Sequence, residues 1–163
     1  LVLTSKPSEK KLRKLGFNNI EVLKAGIQKN IGDLTIKAHD AGFPYNYLWT
    51  FSFEIIQGEK VLYFESHVDK PSRIKQNDLK ADCAILTTEE VKILGLLPLS
   101  NSSETTLEIL KELECKNIMI QGSDPAETKG LISYFLKIGK ENLGVFKNNN
   151  INVYKDPGSE VII

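Results

Sequence analysis

Residues 47–64 constrain this chain more than any other stretch. Residues 47–56 are rich in aromatic and β-branched side chains, Gln57-Gly58-Glu59 breaks the run, and residues 60–64 resume it. That pattern specifies an antiparallel hairpin, because a short glycine-containing turn between two β-prone runs cannot continue as a helix. Trp49, Phe51 and Phe53 alternate along the first arm and so share one face, which predicts core positions. The second arm runs directly into Glu65-Ser66-His67, so whatever fold forms must receive a carboxylate and an imidazole at a strand end.

The flanking segments fix the fold class. Residues 1–4 read as a short buried strand, and Ser5-Lys-Pro7 opens a helix carrying Leu12 and Leu15 that Gly16 stops. Residues 20–23 form a second strand. Ile31-Gly-Asp-Leu34 turns the chain into a half-exposed strand over 34–38, and residues 82–86 are a later buried strand. Asn101-Ser-Ser-Glu104 has capping-box spacing ahead of Leu107, Leu110 and Leu113. Residues 117–120 are a short buried strand. Asp124-Pro125-Ala-Glu127 then opens a helix whose apolar face is Leu131, Ile132, Phe135 and Leu136. Residues 159–163 read as a terminal edge strand. Strands and hairpins followed by strand–helix–strand–helix predict one domain over 1–163, of α/β or α+β class, with a mixed sheet covered by helices on one side.

Composition removes several functions. Lys+Arg and Asp+Glu are equal at 21 each, so the chain has no general attraction for nucleic acid or anionic lipid. No apolar run approaches the roughly 18 residues of a membrane span. Cys83 and Cys115 lack partners at metal-ligand spacing and read as two buried thiols of a cytoplasmic protein. Phosphate-binding loops, dinucleotide-binding glycine patterns and the Gly-x-Ser-x-Gly nucleophile elbow are all absent.

Three segments carry a resemblance. Ile31-Gly-Asp-Leu-Thr-Ile36 resembles a Gly-x-Leu-x-Ile strand entry. Leu62-Tyr-Phe-Glu-Ser-His67 is similar to a Leu-Tyr-Tyr-Glu-Pro-His segment. Gly122-Ser-Asp124 with Lys129-Gly-Leu-Ile132 resembles an Asn-Gly-Asp…Lys-Gly-Leu-Leu stretch, and Ala81-Asp82 and Leu97-Pro98 agree as well. Their shared order resembles the C-terminal part of metallo-β-lactamase-fold proteins of a plant and cyanobacterial subfamily. The resemblance implies an αββα sandwich in which zinc, manganese or iron, held by imidazoles and carboxylates, activates water for hydrolysis of a small-molecule substrate. It also implies that the main ligand loop, His-x-His-x-Asp-His, lies upstream, and this chain holds only two histidines, His39 and His67.

The candidate metal residues are therefore His67 and Glu65, which two-residue spacing would put on one strand face, with Asp69 close by. His39, before the Ala41-Gly-Phe-Pro44 segment, and Asp124, which also reads as a helix cap, complete the set. The expectation is an incomplete or degenerate hydrolase-like protein that is inactive as this chain and binds no metal tightly on its own. An opening at Leu1 rather than methionine supports truncation. The alternative is a non-catalytic binding or assembly module built on half of the fold. It would pair through an open sheet with a second copy or with the N-terminal half.

Overall fold

The computed structural model describes residues 1–41, 50–65, 67–121, 131–156 and 158–162, with the backbone alone at 131 and 132. Its strands are β1 Val2–Thr4, β2 Ile20–Val22, β3 Gln28–Ile31, β4 Leu34–Asp40, β5 Phe51–Gln57, β6 Lys60–Phe64, β7 Cys83–Leu86, β8 Val91–Ile93, β9 Leu97–Ser100, β10 Asn117–Ile120, β11 Leu136–Ile138 and β12 Asn152–Tyr154. Its helices are α1 Lys6–Lys14, α2 Pro71–Gln76, α3 Ser103–Glu112 and α4 Gly144–Lys147.

The hairpin forms as its sequence dictates. β5 and β6 pair antiparallel from Phe53–Phe64 to Gln57–Lys60, leaving Gly58 and Glu59 as the turn. Gly58 has φ +58° at the first turn position, where this kind of tight hairpin asks for glycine. The hairpin is the centre of a seven-stranded sheet in the order β12-β10-β7-β6-β5-β4-β3. The half from β3 to β6 is antiparallel, whereas β6, β7, β10 and β12 are parallel to one another. Two smaller sheets, β1-β2 and β11-β8-β9, accompany it.

Helices cover one face of the sheet, as expected. Ile74 of α2, Ile109 and Leu110 of α3 and Phe146 of α4 pack with Tyr63, Ala84, Leu86 and Ile118 in one buried core. The opposite face differs. Paired positions Ile36, Ile55 and Leu62, and then Phe53, Phe64, Ile85 and Met119, run across five strands on that face and are each only half-buried. Leu23, Ala38 and Phe51 form a small second core there, with Leu3, Ala25 and Phe53 packed on it. Phe51 is buried and meets Phe53 edge-on at 6.2 Å, while Trp49 lies outside the described residues.

Several expectations need correction. β1 is half-buried rather than buried, and in β10 only Ile118 is buried. Leu131–Phe135 is a 3-10 turn and Leu136 begins β11, because pairing of Leu136 with Ile93 and Ile138 with Val91 outweighs the helical pattern. Phe135 is exposed instead of lining an apolar face. Residues 159–162 form no strand. The cap of α3 falls one residue later than its spacing suggests: Ser102 accepts the Thr105 backbone N–H at 3.2 Å, which leaves Asn101 outside the helix.

Removing that cap takes from α3 the side-chain acceptor of its Thr105 N–H. Ser102→Ala is expected to lower the unfolding free energy by about 1 kcal/mol, measured by urea denaturation. An unchanged midpoint would mean that solvent satisfies that N–H equally well.

Candidate functional site

The parallel strands β6, β7 and β10 all end at the same edge of the sheet, where open α/β sheets place their ligand sites. The segment after β6 supplies the candidate residues. Glu65 remains tied to β7 through its backbone N–H to Ile85 O at 3.0 Å. Two residues on, His67 takes φ +79°, so the strand has ended and the two-residue rule no longer holds. Glu65 is completely buried, whereas His67 is exposed. The structure does not present them as a pair.

Glu65 points into the helix-covered layer. Asn101 Nδ2 donates to its Oε1 at 2.6 Å, and the Thr87 backbone N–H donates to its Oε2 at 3.2 Å. Thr87 Oγ1 accepts the Asn101 backbone N–H at 3.1 Å and donates to His67 O at 3.1 Å. Asn101 Nδ2 also donates to Asp69 O at 3.2 Å. Burial, and then the nearby Asp69 charge, push the Glu65 carboxyl up to about 8. Near neutrality Glu65 is therefore predominantly a neutral acid.

Asp69 is buried too, but it is met by a cation. Arg73 Nε donates to Oδ1 at 2.6 Å, Arg73 Nη2 and the Tyr63 hydroxyl donate to Oδ2, and the Lys70 N–H donates to Oδ1 at 2.7 Å. Arg73 Nη2 reaches on to Tyr63 Oη at 2.6 Å and to Ser52 Oγ at 2.8 Å, so one guanidinium ties α2 to β5 and β6. Burial first, and then the Asp69 charge, raise the Tyr63 hydroxyl well above its usual range, so it stays a donor.

His39 lies inside β4, one residue from its end, opposite Ser52. Its Nε2 is 2.9 Å from Glu54 Oε2. A carboxylate only accepts, so that nitrogen carries the bonding proton. The His39 bond, joined by nearby Lys37, holds the Glu54 carboxyl below its usual value despite burial. Asp124 lies outside the described residues. Burial pushes the Cys115 thiol up to about 11 and raises that of Cys83, which leaves both as inert protonated core thiols. Among the described residues, Gln121 Oε1 at the end of β10 is the one buried side-chain oxygen without a hydrogen-bond partner.

Thr87, Asn101, Arg73 and Tyr63 escaped the sequence reading. The Asp69–Arg73 pair had a usable signal in its i, i+4 spacing across Pro71, a good first helical residue. Nothing local marks Thr87 or Asn101, whose partners are 22 and 36 residues away.

Among the described residues, no three of His, Cys, Asp and Glu come close enough to hold a metal ion. Glu65 and His39 are engaged with protein partners, and three protein ligands are the usual minimum for a catalytic zinc. These residues do not by themselves fit a metal. No helix among the described residues is long and apolar enough to cross a membrane.

A carboxyl with a higher pKa folded than unfolded favours the fold while protonated, and that contribution fades as pH rises through the folded value. For Glu65 it is full below its ordinary 4.5 and lost toward about 8. The melting temperature should therefore fall over this interval, and Glu65→Gln should flatten the slope. Parallel profiles for the two proteins would show that Glu65 ionises normally in the fold.

No protein-family model matches the sequence, and no curated protein does. Solved structures do match in three dimensions. An isothiocyanate hydrolase from Delia radicum gut bacteria superposes with a TM-score of 0.65 at 18% identity, over 99% of this chain and 66% of that one. The metallo-β-lactamase fold protein YhfI from Bacillus subtilis gives 0.63 at 11% identity, over 94% and 59%. CmlA, a diiron β-hydroxylase from Streptomyces venezuelae, gives 0.61 at 12% identity, over 88% and 34%. The chain thus spans about one third to two thirds of these relatives' lengths, and over that span it has the metallo-β-lactamase fold.

Proposed function

We propose that this chain is the C-terminal portion of a metallo-β-lactamase-fold, metal-dependent hydrolase-like protein and is inactive as this chain. The observation that carries the reading is the state of the candidate ligands. Glu65 is enclosed by Asn101 and Thr87, His39 is bound to Glu54, and His67 is exposed at the edge where β6, β7 and β10 end. Because His67 stands at that edge, it is read here as this chain's ligand to a metal. The remaining ligands for zinc, manganese or iron would come from residues outside this sequence, with Asp124 a further candidate. The substrate of the whole protein would be a small molecule. The two buried free thiols support a cytoplasmic setting.

A second reading is favoured by one feature. The half-buried row Ile36, Phe53, Ile55, Leu62, Phe64, Ile85 and Met119 is the apolar sheet face that a layered α/β domain has to cover. In an assembly module, that cover would be a second copy or the other half of the fold. Zero net charge supports neither nucleic acid nor a membrane as the partner.

Metal content per chain in the longest form isolated from the native source decides the role of His67. His67→Ala in that form should lower occupancy clearly below the parent's. Equal occupancy in the two would remove His67 from the ligand set.

A further inference from the structure

We infer that Thr87 and Asn101 are positioning residues for His67: anchored together on Glu65, they hold the backbone of 67–69 and so fix where the exposed imidazole stands. The inference rests on the reading of His67 as the ring this chain brings to the site.

The segment faces a geometric demand. β6 ends at Phe64, and within seven residues the chain must reverse into α2 at Pro71. It does so through His67 at φ +79°, a region that is strained for a non-glycine residue and survives only where the surroundings over-determine it. His67 is exposed, so burial does not offset that strain. Two hydrogen bonds hold the backbone instead. Thr87 Oγ1 grips the carbonyl of His67 at 3.1 Å, and Asn101 Nδ2 grips that of Asp69 at 3.2 Å.

The holders are themselves fixed. Each donates to a different oxygen of Glu65, and Thr87 Oγ1 accepts the Asn101 backbone N–H, which closes a ring through the ends of β6, β7 and β9. A capping role for Asn101 does not explain this ring, because Ser102 caps α3. A turn of this φ forms most cheaply on glycine. Here the fold spends three buried polar groups to hold a histidine in it.

The test is made on the full chain with Thr87→Val, which deletes the hydroxyl at nearly constant volume, and Thr87→Ser, which keeps it. Amide hydrogen exchange is followed residue by residue. The His67 ring signal is assigned by comparison with His67→Ala, there being only two histidines. Thr87→Val should speed exchange at 67–69 roughly tenfold, the effect of losing about two hydrogen bonds, and shift the His67 ring signal. Amides of β7 and β10 should stay as in the parent, and Thr87→Ser should restore parent behaviour. Should Thr87→Val fail to fold, Asn101→Leu provides the same local test, since it releases Asp69 O and Glu65 and leaves the threonine intact.

Exchange that rises equally throughout the chain overturns the proposal, because that is loss of stability alone. A serine variant that behaves like the valine variant overturns it as well, as does an unchanged 67–69 segment. Local loosening is read without metal, so a failure of His67 as a ligand would appear only in the metal-content experiment.

Discussion

Two carboxyl groups buried four residues apart, Glu65 and Asp69, set the terms for this end of the molecule. A buried carboxyl without partners costs several kcal/mol, so its neighbours must be polar and correctly aimed. The chain meets the two demands differently. Asp69 receives a guanidinium, a phenol and a backbone N–H and is salt-bridged to Arg73. Glu65 receives only neutral donors and is predominantly protonated near neutrality. Between them the two groups join β5, β6, α2, β7 and the start of α3. The edge is stiff because several elements share the same few polar atoms.

That stiffness separates two residues that stand close in sequence. Glu65 serves the interior, and His67 emerges from the turn that the interior holds. A strand face offering both to one metal would need β6 to continue two residues further. It stops at Phe64 because the chain must turn toward α2, and the left-handed backbone at His67 makes that turn. The same economy leaves His39 with Glu54, a carboxylate brought beside it across the β4–β5 pairing.

What the sequence revealed follows from the range of the forces involved. The β5–β6 hairpin, the strands β7 and β10 and the start of α1 rest on period-two patterning, turn chemistry and a proline, all local signals. α2 has only six residues and was missed, as were β8, β9 and β12, which are three or four residues each. Asn101 resembled a cap because asparagine, serine and serine stand in a row, and only the fold shows which one the helix uses. Leu136 has helical spacing with Leu131, Ile132 and Phe135, and its place in a strand comes from β8, more than 40 residues earlier. For the site, the strand end and its imidazole were legible. The ring that fixes them was not, because its bonds link residues distant in sequence.

The central claim is that the ligand set of this chain is incomplete, and zinc stoichiometry tests it directly. The purified 163-residue chain is equilibrated with excess zinc, freed of unbound metal by gel filtration and measured by mass spectrometry of the metal. The account predicts far less than one zinc per chain, with no change in His67→Ala. One or more tightly held zinc ions per chain, lost on that substitution, would contradict it.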